Sequence, residues 1–294
     1  MDFTRPQPEA PAASAPFKAA ASRFYDKSAA AQVFRQHGRE ERFAAGEVLF
    51  EEADKASRGG MFRAGSRMYY LAEGEVALAM GGRSLDIVKP GEVFGEMAVI
   101  SGQPRSATAT ARTAGSAHSM DAAELQAAIG REPAFALMLA SVMYDRLRFL
   151  GARLATRGPR APAAPREATT FDPALVGQLA EAMPATSITR YAPEAVIMRE
   201  GQSGTFMYVV RRGRVGIFTA TQALEVVQAG GTFGEMAIVD QSPRTANAKA
   251  LEDTELLALD RASLLALVGR HPAVGIAVLR SIADRLRYMN QLLR

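Results

Sequence analysis

The sequence predicts a mainly β protein with flanking helices: two β-roll, jelly-roll-like domains, each followed by a short helix and a long C-terminal helix. Three observations lead there. The segment FGEMAVISGQPRSATA at 94–109 recurs as FGEMAIVDQSPRTANA at 233–248, with nine of sixteen positions identical and an offset of 139. A fixed offset of this kind marks a duplicated unit. Short β-prone stretches punctuated by glycine precede each copy. Helical periodicity follows each, and DRLR at 145–148 returns as DRLR at 284–287.

The bulk properties agree. At 294 residues the chain has room for two domains of about 150 residues, each able to bury a core. Hydrophobic residues make up 48% and charged residues 22%. No apolar run approaches the ~18–20 residues of a membrane span, so none is expected. Met1–Phe17 places Pro, Glu and Asp where a signal peptide needs an apolar stretch, and a cytoplasmic location is the default expectation. The absence of cysteine excludes disulfides and thiolate chemistry. With 35 basic and 31 acidic side chains the net charge is +4, a weak pointer to nucleic acid.

In chain order, residues 1–22 form an Ala/Pro-rich tail expected to be disordered, because it offers too little apolar surface to order itself. Domain one spans 23–155. Its strand candidates are EVLF (47–50), RMYYLAEGEVALAM (67–80) and SLDIV (84–88); their counterparts in domain two, 170–294, are AVIM (195–198), TFMYVVRRGRVGIF (205–218) and LEVVQ (224–228). Glu47 pairs with Glu194 at an offset of 147, which gives domain one about eight extra residues. They lie in KASRGGMFRAGSR (55–67), whose four basic residues read as a solvated loop in preference to a partner or ligand contact. Asp121 with Glu124 forms a capping-box pattern for a short helix ending at Gly130, and Pro133 opens a longer one. Asp260, Gly269 and Pro272 repeat the arrangement. The proline-rich stretch 156–169 is expected to be a linker.

The duplicated segment carries the chemistry. A glycine before a helical turn lets backbone amides approach an anion, and Gly95-Glu96-Met97-Ala98 and Gly234-Glu235-Met236-Ala237 have that composition. Pro104-Arg105 and Pro243-Arg244 then bring a guanidinium able to grip two phosphate oxygens. A glutamate repels phosphate but accepts a hydrogen bond from a sugar hydroxyl. The combination suits an anionic sugar phosphate.

FGEMA followed by PR-S/T-A resembles the phosphate-binding cassette of the cyclic-nucleotide-binding domain family, and the resemblance spans roughly Arg42–Leu154 and Arg190–Leu293. It implies a cyclic AMP or cyclic GMP ligand, with no cofactor and no metal. By similarity Glu96 and Glu235 hold the ribose 2′-hydroxyl, while Arg105 and Arg244 hold the cyclic phosphate with the amides of Ala98, Ser106, Ala237 and Thr245. Phe94, Met97 and Ala107 complete the first set, and Phe233, Met236 and Ala246 the second. Base cover is expected from the long helices, through Leu150 beside Phe149 and Tyr288 beside Met289. Ser106 is compatible with cyclic AMP; Thr245 leaves cyclic GMP open at the second site. Ala53 stands where the family usually has glycine, and Gln202 where it has an acid.

On each long helix an apolar stripe runs Leu139, Met143, Leu147, Leu150, Leu154 and Val278, Ile282, Leu286, Met289, Leu293. Such a stripe serves as a seam, between two chains in a homodimer or between the two halves, or packs only on its own β-roll. No helix-turn-helix follows before Arg294, so direct DNA binding is not expected. His37, His118 and His271 are too scattered for a jelly-roll metalloenzyme. The reading is a non-enzymatic cyclic-nucleotide sensor acting on an effector protein that the sequence does not name. The alternatives are a ligand-free interaction protein on a degenerate copy of the fold, or a transcription regulator without its own helix-turn-helix.

Overall fold

Asp26 starts the first element of the computed structural model, which describes residues 24–53, 66–156, 166–168, 171–220 and 223–293. Its carboxylate accepts from the amides of Ser28 and Ala29 and caps α1 (Lys27–His37), which buries Ala30, Ala31, Val33 and Phe34. Eight strands follow: β1 (Arg39–Phe43), β2 (Val48–Phe50), β3 (Met68–Glu73), β4 (Val76–Met80), β5 (Arg83–Val88), β6 (Val93–Phe94), β7 (Thr108–Ala111) and β8 (Gly115–Met120). They form two antiparallel sheets, ordered β1-β8-β3-β6 and β2-β7-β4-β5. The period of two sorts β3 between two cores. Tyr69 and Leu71 face the roll interior with Phe43, Leu49, Val76 and Phe94, whereas Met68 and Tyr70 face the helices. The short α2 (Glu96–Ser101) lies between β6 and β7; α3 (Ala122–Arg131) and α4 (Pro133–Thr156) close the domain. The expected capping box forms, with Asp121 and Glu124 each accepting the other's backbone amide.

Domain two repeats the plan with β10 (Ile188–Tyr191), β11 (Val196–Met198), β12 (Phe206–Arg212), β13 (Val215–Phe218), β14 (Ala223–Val227), β15 (Thr232–Phe233), β16 (Asn247–Ala250) and β17 (Thr254–Asp260). Before them comes α5 (Pro173–Ala182), capped by Asp172; α6 (Met236–Val239), α7 (Arg261–Arg270) and α8 (Pro272–Leu293) correspond to α2, α3 and α4. Two expectations change. Val48 faces Thr110 as Val196 faces Lys249, so the offset upstream is 148, not 147, and domain one carries nine extra residues. Positive φ at Gly46 and Glu194, and again at Ala53 and Gly201, confirms the shift. Most of the insert, the N-terminal tail and much of 156–169 lie outside the described residues. Within the stretch read as linker, Arg166–Ala168 forms β9, which adds in parallel to β14 as a fifth strand.

Arg67 departs from the solvated-loop expectation. It is 5% exposed, and it donates to Ser119 Oγ at 2.8 Å and to Glu124 Oε2 at 2.7 Å, with Asp121 at 3.4 Å. A cluster of carboxylates repays the burial of its charge.

The long helices decide how the halves sit. A methyl group on Gly275 would stand 3.3 Å from the Ala136 side chain, and one on Gly151 would stand 3.6 Å from that of Met289. These contacts place α4 and α8 side by side, parallel and in register. Corresponding residues exchange contacts: Gly130 meets Pro272, and Gly269 meets Pro133. Such reciprocity is the signature of a two-fold axis, here between two halves of one chain. Leu139, Met143, Leu150, Val278, Ile282 and Leu286 are buried in one core, which also takes in Met68, Tyr70, Met207 and Val209. Of the arrangements the stripes allowed, the structure has the seam between the two halves of the chain, each stripe packing against the other. The side chains of Leu154 and Leu293 lie outside the description.

Candidate functional site

Each repeated cassette starts on a glycine that its surroundings require. Gly95 and Gly234 have φ of +75° and +76°, a region costly for other residues. A methyl group at Gly234 would also stand 2.5 Å from Arg244 Nη1, and one at Gly95 would stand 3.1 Å from Arg105 Nη1. The left-handed turn thus brings the carbonyl of each glycine onto the arginine ten residues later. Arg105 Nη1 donates to Gly95 O at 2.9 Å, and Arg244 donates to Gly234 O and Phe206 O, both at 2.7 Å. The main chain pins both arginines too, since Ala53 N donates to Arg105 O at 2.9 Å and Gly201 N to Arg244 O at 2.8 Å.

Aromatic rings back the guanidinium groups. Arg105 lies 4.0 Å above the Phe50 ring and Arg244 5.8 Å from that of Tyr208, within cation–π range. Behind them Tyr69 stacks on Phe94 and Tyr208 on Phe233, each pair at 5.1 Å. Burial, with Glu41 nearby, pushes the Tyr69 phenol up to about 12. Phe94 and Phe233 are thereby interior residues that support the arginines.

The glutamates face the long helices. Glu96 pairs with Arg146 of α4. Glu235 Oε1 accepts from Arg285 Nη1 of α8 at 3.0 Å and from Thr232 Oγ1 at 2.6 Å. Burial opposes the charge on Glu235, but Arg285 and the Thr232 hydroxyl prevail and hold its carboxyl below the ordinary range. Burial likewise opposes the charge on Arg285, and Glu225 and Glu235 more than offset it. Arg244 is the reverse case: burial lowers its pKa, and Tyr208 and Glu235 only partly compensate. The two arginines of the second site therefore differ, one matched by carboxylates and the other a desolvated cation held by neutral carbonyls.

Around these pairs the remaining cassette residues divide. Met97, Ala98, Ala107, Ala237 and Ala246 are buried; Met236, Pro104 and Ser106 are partly exposed; Pro243 and Thr245 are exposed. The Thr245 hydroxyl lies 3.5 Å from the Met236 sulfur. Leu150 is 7% exposed and belongs to the interhelical core, while Tyr288 is partly exposed. Sequence reasoning missed the helix arginines as site residues, although the repeated DRLR run contains Arg146, Arg148, Arg285 and Arg287. Arg148 and Arg287 cross the seam. Arg148 pairs with Asp240 and donates to Ser242 at 2.9 Å beside the second cassette, and Arg287 donates to Ser101 at 3.1 Å and Pro104 O at 2.8 Å in the first. Among the described residues no three His, Asp or Glu side chains group to hold a metal ion, and no single helix is long and apolar enough to cross a membrane.

The family model described as the cyclic nucleotide-binding domain matches residues 40–132 and 188–271, covering both cassettes. The chain is 40% identical over 96 residues to the cyclic AMP receptor protein of Thermus thermophilus, covering 31% of this chain and 44% of that one. It is 22% identical over 228 residues to a cGMP-dependent protein kinase of Plasmodium berghei, covering 77% and 23% respectively. Among solved structures, the regulatory domain of Toxoplasma gondii PKA with cAMP matches 90% of this chain and 97% of its own, at 20% identity and a TM-score of 0.29. The chain spans less than half the length of these curated relatives.

Proposed function

The chain belongs to the cyclic nucleotide-binding domain family, and on that premise we propose that it is a non-catalytic sensor with two sites, taking cyclic AMP and, at the second, cyclic GMP as well. One observation carries the reading. Arg244 is 7% exposed, its bonds in the cassette go to neutral carbonyls, and burial lowers its pKa. A cation whose desolvation is only partly compensated is suited to an incoming anion. The glycine turn beside it keeps the backbone close to that cation, where a side chain would collide with the guanidinium.

The switch follows from the glutamates. A ribose 2′-hydroxyl donating to Glu96 or Glu235 shares a carboxylate with Arg146 of α4 or Arg285 of α8. Ligand thus competes with a long helix for the same oxygen atoms, and the helix arrangement that tolerates the sharing becomes more populated. The shift is limited by the differential affinity of nucleotide for the two arrangements. The moved helices are the surface offered to an effector protein.

Titration calorimetry with cyclic AMP and cyclic GMP tests the proposal. Two binding events are expected, with Arg105→Ala removing one and Arg244→Ala the other. No heat from either nucleotide, at protein concentrations that would detect micromolar binding, rejects it.

A further inference from the structure

Tyr144 stands one helical turn before Arg148 on α4, the arginine that crosses to Asp240 and Ser242 beside the second cassette. Its side chain is 1% exposed. The phenol lies within hydrogen-bonding reach of Glu235 and within electrostatic reach of Arg285, both in the other half of the molecule. Yet among the described residues its oxygen has no partner at ordinary hydrogen-bond distance and angle, although the Glu235 carboxylate lies within reach of one. Buried hydroxyls are nearly always bonded, and one without a well-formed bond beside a charged carboxylate asks for a reason. The Oε1 atom of Glu235 already receives Thr232 and Arg285. At the repeat offset of 139 the counterpart of Tyr144 is Ala283, which has no hydroxyl. The first site is built without this group.

We infer that Tyr144 is a positioning residue of the second site, supplied across the seam by the first domain: when a ribose hydroxyl competes with Arg285 for Glu235, the Tyr144 hydroxyl donates to the carboxylate and holds it toward the sugar. The inference rests on the proposed function. Burial, then the nearby Glu235, raises the phenol's pKa, so it stays protonated and able to donate. A hydroxyl donating to a carboxylate is among the stronger hydrogen bonds. Because the donor belongs to domain one, affinity at the second site depends on the seam through Tyr144, and affinity at the first has no matching dependence.

Calorimetry on the full chain separates the sites, with Arg105→Ala leaving the second and Arg244→Ala the first. In the Arg105→Ala background, Tyr144→Phe is expected to weaken cyclic AMP about tenfold, the effect of one charge-assisted hydrogen bond. The 2′-deoxy analogue offers Glu235 no hydroxyl, so in the same background its affinity should be equal with and without Tyr144→Phe. In the Arg244→Ala background Tyr144→Phe should change nothing. Equal losses for cyclic AMP and its deoxy analogue, a loss at the first site, or unchanged affinity at the second overturns the inference alone. Absence of nucleotide uptake by the wild-type chain overturns the proposed function and the inference together. Should the Tyr144→Phe variant not fold, tyrosine ring-carbon labelling of the wild type gives the same decision. The Tyr144 signal should shift with cyclic AMP and not with its deoxy analogue, and a matching shift with both overturns the inference.

Discussion

Ala53 holds a left-handed backbone, φ +68°, where the second domain has Gly201 at φ +80°. A side chain there costs about 1 kcal/mol. The amide of Ala53 nevertheless keeps its bond to Arg105 O, so the turn is retained despite the strain. Ala53→Gly is expected to raise unfolding stability by about 0.5–1 kcal/mol, read as a higher urea midpoint at unchanged slope. Glu235 makes a prediction in pH. Its carboxyl is held below the ordinary range, since Arg285 and Thr232 outweigh burial. A depressed native pKa contributes stability that is fully present above the unfolded value, about 4.3, and is lost as pH falls through the native one. Stability from this group should be level from about pH 6 to 8 and decline below about pH 4.3. Glu235→Gln should flatten that acid decline in denaturation curves taken at several pH values, at a cost of about 3 kcal/mol at neutrality from disrupting a buried pair.

Among the elements, the start of α3 is where local sequence and structure agree most closely. Asp121 and Glu124 close a capping box, and both also face Arg67. Asp121→Ala is expected to cost about 1–2 kcal/mol from the cap, measured by thermal unfolding. The strands flanking the glycines, the long helices opened by Pro133 and Pro272 and the duplicated cassettes were legible because period, punctuation and repetition are local signals. Other parts were not. The short helix α1 and its counterpart α5 carry caps at Asp26 and Asp172, but they lie outside the segments whose repetition singled out α3 and α7. β9 has three residues and exists by pairing with β14, a partner distant in sequence. Arg67 was read as solvated because it sits beside glycines, while the carboxylates that bury it come from β1 and α3. The candidate site divides the same way: glycine, glutamate and arginine are adjacent in the chain, whereas Arg146 and Arg285 arrive from helices some fifty residues later.

At the scale of the whole molecule the seam determines behaviour. A methyl group on Gly275 would stand 3.0 Å from Ile129 and 3.1 Å from Val268, so a larger side chain must force α8 away from its neighbours. Gly275→Leu is expected to cost about 1–3 kcal/mol by overpacking, and calorimetry should show two unfolding transitions where the wild type, with its shared core, is expected to show one. The cross-seam arginines make the same connection in polar form, with Arg148 and Arg287 each tied to the opposite cassette. A two-chain assembly built on parallel helices comes apart on dilution, and its response then varies with the amount of protein present. Here the peptide bond keeps the neighbour at a high effective concentration. Under the proposed function, a nanomolar sample and a micromolar one should give the same saturation curve, and the set-point of the response should not vary with how much of the chain a cell makes.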